Sequence, residues 1–196
     1  MITVFPDTQA LIFDLDGTLA DTMTVHYQAW HETFAAFGVN CPQAFLESHN
    51  GTPTELIVVH FNAAFGHCID PKRFAYAKEN RAKVQLPQVK PIMSVAELAH
   101  HYRGRLPMAV ATGGRRANAE MTLRAIGLHE HFDALVSADD PVLPKPAPDI
   151  FLEAARQLGV EARYCQVFED ADHGLEGARR AGMRAVDIRP VLNAAP

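Results

Sequence analysis

The strongest constraint on the fold is a four-residue apolar run, residues 10–13, that leads directly into Asp14-Leu15-Asp16-Gly17-Thr18. A short apolar run bounded by a glycine is typical of a buried strand in a parallel sheet. In extended chain, residues two apart point to one side and lie about 7 Å apart. Asp14 and Asp16 can therefore act on one small group from its two ends. The same residue types also suit an ordinary turn, in which acidic side chains cap exposed amides.

Two further apolar runs end in polar residues. Residues 108–111 lead into Thr112 and two glycines, and residues 165–168 lead into Glu169 and Asp170. In open parallel sheets, ligands bind in the crevice outside the carboxyl ends of the strands. Polar groups at three such ends can therefore converge although they are far apart in sequence. An ordinary turn at each motif would not predict this convergence. We interpret the three clusters as parts of one site.

Helices and strands alternate along the second half of the chain. Predicted helices cover 94–101, 117–126, 148–158 and 175–181, and predicted strands cover 108–111, 134–137, 165–168 and 185–188. Short connections between alternating elements imply right-handed crossovers. We therefore predict an α/β fold with a doubly wound, parallel, Rossmann-like sheet.

The segment after the first motif has a helical pattern instead. Aromatic residues recur there every three to four positions, which predicts a helix from about 22 to 37. Further helices are predicted at 41–47, 54–65 and 71–84. Because none of these stretches has a strand pattern, we predict a small all-helical cap domain, residues 20–87, inserted after the first strand. The predicted core domain comprises residues 1–19 and 88–196.

Composition argues against several classes of function. A net charge of −5 and the lack of a basic run argue against a nucleic-acid partner. No apolar stretch approaches membrane-spanning length, so no membrane partner is expected. The three cysteines form no Cys-x-x-Cys pair for zinc or redox chemistry. The amino terminus lacks a basic region followed by an apolar one, so we expect a cytoplasmic protein. We also expect a monomer.

The acidic residues suit phosphoryl transfer, which needs a nucleophile, a proton donor, a cation and groups that hold the phosphate. Asp14 can attack phosphorus to form an aspartyl-phosphate. Asp16 can protonate the leaving oxygen and later deprotonate water. Because Mg²⁺ prefers oxygen ligands, carboxylates of Asp14 and Asp170 with the backbone carbonyl of Asp16 would suffice to hold it. Glu169 is either a further ligand or a support for the ligands.

Candidate phosphate-binding groups lie in the middle of the chain. Thr112 can donate its hydroxyl, and the amides of Gly113 and Gly114 can approach a phosphate without obstruction by a side chain. A glycine-rich loop that needs positive φ angles is the alternative explanation for this pair. Lys145 can neutralise a dianionic phosphate, whereas a solvated surface lysine is the alternative for that residue.

Taken together, these motifs resemble those of the haloacid dehalogenase superfamily, and all four occur in the right order. The first is Asp14 to Thr18, the second Thr112, the third Lys145 and the fourth Glu169-Asp170. The helical insertion resembles the cap of the beta-phosphoglucomutase-like branch. The likeness covers essentially the whole chain and is nearest to bacterial sugar-phosphate phosphatases of the fructose-1-phosphate type.

The resemblance implies a magnesium-dependent phosphatase that acts on a small phosphorylated metabolite. It makes Asp14 the nucleophile and Asp16 the general acid and base. The remaining implied roles are magnesium ligation by Asp14, Asp16 and Asp170, phosphate binding by Thr112, Gly113 and Lys145, and support of the metal site by Thr18 and Glu169.

Two cap residues bear on substrate choice. His26 begins a His-x-x-Ala-Trp segment that the branch's hexose-phosphate mutases share, so it is a candidate to touch substrate or relay a proton to Asp16. A plain helix-surface histidine is the alternative. Thr54 stands where those mutases carry an arginine that grips a second phosphate, and threonine cannot replace a bidentate guanidinium. Basic residues of the last cap helix could substitute: Lys72, Arg73, Lys78 and Lys83.

Three functions therefore remain open. The leading one is a sugar-phosphate phosphatase. The second is a mutase of the beta-phosphoglucomutase type, which Thr54 disfavours. The third is a catalytically silent protein that binds a phosphorylated metabolite, which the presence of all catalytic positions disfavours.

Overall fold

Five short strands form one parallel sheet in the computed structural model, which describes residues 2–192. They are β1 (Ala10–Phe13), β2 (Met108–Ala111), β3 (Ala134–Val136), β4 (Cys165–Glu169) and β5 (Arg184–Asp187). Their order in the sheet is β3-β2-β1-β4-β5. The three strands that lead into the sequence motifs are therefore adjacent at the centre. The predicted α/β fold with a doubly wound parallel sheet is confirmed.

The register brings the three strand ends level with one another. Phe13, the last residue of β1, lies opposite Val110 of β2 and Phe168 of β4. The residues that follow therefore leave the sheet at the same edge. The backbone N–H of Asp14 donates to the carbonyl of Phe168 at 3.0 Å, which continues the ladder into the motif.

Helices cover both faces of the sheet. They are α5 (Met93–Tyr102), α6 (Arg116–Ala125), α7 (Asp149–Leu158), α8 (Asp172–Arg180) and the short α9 (Arg189–Leu192). Side chains alternate along β1, so Leu11 and Phe13 pack into one apolar cluster while Ala10 and Ile12 pack into the other. Both faces of the strand are thus buried, as its continuous apolar sequence predicts.

The structure differs from the sequence prediction at two helices. Helix α8 begins at Asp172 rather than near residue 175. An acidic residue in the first turn suits the positive end of the helix dipole, whereas glycine at 174 weakens the helical pattern that the prediction used. Helix α9 was not predicted, because four residues carry too little periodicity to be recognised.

Four helices lie between β1 and α5. They are α1 (Met23–Ala36), α2 (Gln43–Glu47), α3 (Thr54–Phe65) and α4 (Pro71–Gln85), followed by a single 3-10 turn, Leu86–Gln88. They enclose an aromatic cluster in which the ring of Phe34 lies 4.5 Å from the rings of both Phe61 and Phe74, measured between centroids. This separate cluster supports the division into a cap, residues 20–87, and a core domain, which we retain as a proposal. Residues 1 and 193–196 of the proposed core domain lie outside the described residues.

Between residues 2 and 192, none of the helices combines the length and the apolar character needed to cross a lipid bilayer.

Candidate active site

Three buried or half-buried carboxylates meet at the carboxyl ends of β1 and β4. Asp14, Glu169 and Asp170 each offer an oxygen, and these oxygens all lie within 4.8 Å of one another. An all-oxygen, acidic donor set of this kind fits Mg²⁺. The carboxylate of Asp16 does not belong to this group, because it contacts other side chains. Ligation of the metal by the backbone carbonyl of Asp16 stays a prediction.

A buried ammonium group lies among these acids. Lys145 is 2% exposed, and its Nζ donates to Asp14 Oδ1 at 2.7 Å, to Glu169 Oε1 at 2.5 Å and to the carbonyl of Ala111 at 3.1 Å. The structure places Lys145 on two carboxylates, and its predicted contact with the phosphate stays a prediction. Lys145 therefore also orients the proposed nucleophile.

The balance of charge in this cluster favours a further cation. Burial would lower the pKa of Lys145, but Asp14 and Glu169 raise it above its ordinary value. Burial raises the pKa of Asp14 well above its ordinary value, although Lys145 opposes the shift, and burial with repulsion from Glu169 raises the pKa of Asp170 to about 6. Burial is the larger cause of each acidic shift, and repulsion among the neighbouring carboxylates adds to it. A divalent cation would relieve that repulsion.

Gly17 and Thr18 of the first motif both serve Asp170. The Thr18 hydroxyl donates to Asp170 Oδ1 at 2.9 Å. Gly17 has a φ of +86°, and a Cβ there would lie 2.4 Å from Asp170 Oδ2. Glycine is therefore required twice over, for its backbone angle and for the close approach of the carboxylate. Thr18 thus contacts a carboxylate that is predicted to bind the metal, and this contact supports its predicted role.

Asp16 faces the insertion. Its Oδ1 accepts from the Thr22 hydroxyl at 2.8 Å and lies 3.0 Å from His26 Nε2, and its Oδ2 accepts from the Thr112 hydroxyl at 3.3 Å. Burial would raise the pKa of Asp16, but His26, Thr22 and Lys78 lower it below its ordinary value. Asp16 is thus held as a carboxylate.

The tautomer of His26 follows from its second neighbour. Lys78 Nζ lies 3.1 Å from His26 Nδ1, and an ammonium can only donate, so Nδ1 accepts. The ring proton of a neutral His26 is then on Nε2 and points to Asp16. The alternative of a plain surface histidine is excluded by these contacts. A relay of protons through His26 stays a prediction.

The loop after β2 is partly engaged within the protein. Thr112 is buried, and its Oγ1 accepts from the Gly114 N–H at 3.0 Å. The Gly114 amide therefore donates to Thr112. The sequence predicts that this amide approaches a phosphate, but in the structure it is engaged by Thr112. A Cβ on Gly113 would lie 2.7 Å from the carbonyl oxygen of Gly51, which belongs to the insertion. Glycine at 113 lets the two loops touch.

The insertion closes over the core at this edge of the sheet. Thr52 Oγ1 lies 3.3 Å from His173 Nδ1, and the backbone around Gly51 passes close to Ala171 and Lys145. A cleft results between the two parts of the chain. Its walls include Asp14, Asp16, Thr112, Gly113, Glu169 and Asp170 from the sheet side and His26, Tyr27, Asn50, Thr54, Lys78 and Glu79 from the insertion.

The sequence analysis did not single out Thr22, which donates to Asp16, nor two residues that line the cleft, Glu79 of α4 and Asn118 of α6. Glu79 accepts from the Thr54 hydroxyl at 2.8 Å and from Asn118 Nδ2 at 2.5 Å. Glu79 sits in a helix with many charged residues, where one more glutamate is unremarkable. Only the contact with Thr54, which the sequence had singled out, points to it.

A family model described as haloacid dehalogenase-like hydrolase matches residues 11–188. The chain is 40% identical over 182 residues to the fructose-1-phosphate phosphatase YqaB of Escherichia coli (strain K12), covering 91% of this chain and 95% of that protein.

Solved structures with a similar fold include a CbbY variant and a beta-phosphoglucomutase. A CbbY variant from Rhodobacter sphaeroides in complex with xylulose-(1,5)bisphosphate matches with a TM-score of 0.80 at 28% identity, over 91% of this chain and 84% of that chain. The beta-phosphoglucomutase from Clostridium difficile matches with a TM-score of 0.82 at 26% identity, over 92% and 84%.

Proposed function

The chain belongs to the haloacid dehalogenase-like hydrolase family, and we propose that it is a magnesium-dependent phosphatase of small sugar phosphates. The observation that carries the proposal is the meeting of Asp14, Asp16 and Asp170 at one edge of the sheet, in a cleft that also contacts the insertion, with the buried Lys145 donating to Asp14. The YqaB relative supports a fructose-1-phosphate-like substrate.

In the proposed reaction, a carboxylate oxygen of Asp14 attacks phosphorus while the sugar oxygen leaves. Lys145 holds Asp14 Oδ1 in place and offsets part of the negative charge that a phosphate dianion meets. The product is an aspartyl-phosphate and a free sugar. Water then attacks phosphorus, the bond from phosphorus to the Asp14 oxygen breaks, and inorganic phosphate leaves as the carboxylate is restored.

Asp16 is proposed to move the proton in both steps. In the resting site it is ionised, so it must first gain a proton to act as an acid. An incoming phosphate dianion raises the pKa of a neighbouring carboxyl group by like-charge repulsion, which favours that protonation. After the sugar has taken the proton, the carboxylate held by Thr22 and His26 can accept one from water.

Asp14 and Asp170, with the backbone carbonyl of Asp16, are proposed to hold Mg²⁺, which would neutralise phosphate oxygens when bound. Both carboxylate oxygens of Glu169 already accept hydrogen bonds, from Lys145 and from the Ala171 N–H at 2.9 Å. We therefore assign Glu169 to supporting the site rather than to ligation. Thr112 and the Gly113 amide are proposed to bind the phosphate.

A hexose-phosphate mutase is the second candidate, and the similarity to the Clostridium difficile beta-phosphoglucomutase favours it. A mutase must hold a second phosphate at the cap. Thr54 donates to Glu79 and offers no positive charge, so the phosphatase is preferred. Membership in a hydrolase family and the retained acids argue against a silent binding protein. A cytoplasmic location and a monomeric state stay predictions.

A panel of sugar phosphates tests the proposed function. Purified protein is mixed with each compound, with Mg²⁺ or with excess chelator, and released phosphate is measured. Release from a sugar monophosphate only in the presence of Mg²⁺ is expected. No release from any sugar phosphate would contradict the proposal, and conversion between sugar phosphates without release would favour the mutase.

A further inference from the structure

An ion pair occupies the part of the cleft wall that α4 supplies. Lys78 Nζ donates to Glu79 Oε1 at 3.2 Å, and both residues line the same cleft as Asp14. The two side chains are 6% and 14% exposed. Neither belongs to the catalytic groups described above, although Lys78 touches His26.

We propose that Glu79 masks the charge of Lys78 and thereby restricts the cleft to substrates whose only phosphate is the one transferred to Asp14. The inference rests on the proposed phosphatase function and deepens it. It makes Glu79 a specificity-determining residue, and it describes the substrate class as sugar monophosphates whose far end carries only hydroxyl groups.

The contacts of Glu79 leave little room for an anion. Its carboxylate accepts from Thr54, from Lys78 and, across the cleft from the core domain, from Asn118 Nδ2. A second phosphate near this wall would face a fixed, poorly solvated negative charge. Like charges brought together in a desolvated cleft oppose binding strongly.

The contacts of Lys78 lead to the same conclusion. Its ammonium donates to Glu79 Oε1 and His26 Nδ1 and lies 5.3 Å from the centre of the Trp30 ring. Of the four basic residues of α4 considered from the sequence, Lys78 alone lines this cleft within the described residues. Because Glu79 neutralises that one cation, the wall offers a second phosphate no net attraction.

The same wall suits neutral hydroxyl groups. Thr54, Glu79 and Asn118 form a connected set of hydrogen-bonding groups that can share donors and acceptors with a polyol. The CbbY neighbour, in contrast, was solved with a sugar bisphosphate. Removal of the Glu79 carboxylate is therefore expected to shift the preference of this cleft from sugar monophosphates toward sugar bisphosphates.

Glu79→Gln tests the proposal with little change in shape. Glutamine can still accept from Thr54 and Lys78, and the Asn118 amide can turn to offer its oxygen. We compare kcat/KM for fructose 1-phosphate and fructose 1,6-bisphosphate. The ratio of bisphosphate to monophosphate is expected to rise by about tenfold or more, the size of one charge-assisted contact. Glu32→Gln removes an equal charge from the exposed face of α1 and is expected to leave the ratio unchanged.

Lys78→Met approaches the question from the other partner. Alone, this substitution would leave the Glu79 carboxylate without its cation, so it is combined with Glu79→Gln. If the gain in Glu79→Gln comes from the unmasked ammonium, the double variant returns the ratio to within about twofold of wild type even where overall turnover falls. A ratio that stays raised in the double variant would show that the gain does not come from Lys78 and would overturn the proposal.

The outcomes separate this proposal from the function on which it rests. Wild-type protein that releases no phosphate from any sugar monophosphate contradicts the proposed function. Active wild-type protein with an unchanged ratio in Glu79→Gln overturns the masking role and leaves the phosphatase intact.

Discussion

His26 Nε2 lies 3.0 Å from Asp16 Oδ1, and Lys78 fixes the ring from its other nitrogen. We predict that His26→Ala lowers kcat by roughly ten- to a hundredfold with little change in KM, because Asp16 loses the donor that orients it. His26→Gln can still donate to Asp16 and is expected to recover part of the loss. His31→Ala on the same helix, whose ring contacts exposed Gln43, is the control. A change confined to KM would contradict the positioning role.

Asp14→Asn is predicted to remove turnover, by roughly a thousandfold or more, because an amide is a poor nucleophile. The shape is nearly unchanged, so a cooperative thermal transition is expected to remain. Steady phosphate release by the purified variant would rule out Asp14 as the nucleophile.

Asp170→Ala is predicted to raise the Mg²⁺ concentration needed for half-maximal activity by at least about tenfold, because one carboxylate ligand is lost. The measurement is a magnesium titration of phosphate release. Asp172→Ala removes a nearby exposed carboxylate that pairs with Arg189, and it is expected to leave the titration unchanged. Full activity of wild-type protein in excess chelator would exclude a metal role for these acids.

Hydrolysis is predicted to exceed mutase activity even when a bisphosphorylated sugar is supplied as primer. The reason is that Thr54 and Glu79 place no free positive charge where a second phosphate would have to be held. Parallel assays of phosphate and glucose 6-phosphate with beta-glucose 1-phosphate as substrate check this. Faster formation of glucose 6-phosphate would promote the mutase.

The sequence was sufficient to predict the sheet and the convergence of its motifs. A strand that consists of an apolar run ended by an acid or glycine can be recognised from neighbouring residues alone. Strands β1, β2 and β4 lie where this local pattern predicts them. The resemblance to the haloacid dehalogenase superfamily is confirmed by the family match. The roles of individual site residues stay predictions.

Contacts between side chains that are distant in sequence could not be predicted. Lys145 is one example: its ammonium donates to Asp14 and Glu169, because a buried ammonium needs charged partners, whereas its contact with the phosphate stays a prediction. Glu79 and Asn118 were missed altogether. Their contact depends on how α4 of the insertion meets α6 of the core, and no periodicity or motif records that arrangement.

A trapped intermediate tests the central claim most directly. Wild-type protein, Mg²⁺ and the sugar monophosphate that it hydrolyses fastest are mixed rapidly and quenched in acid, and the peptides are analysed by mass spectrometry. The account predicts a phosphoryl group on the peptide that carries Asp14, formed before free phosphate accumulates and absent from Asp14→Asn. Phosphate release with no phosphorylated Asp14, or with the phosphoryl group on another residue, would contradict it.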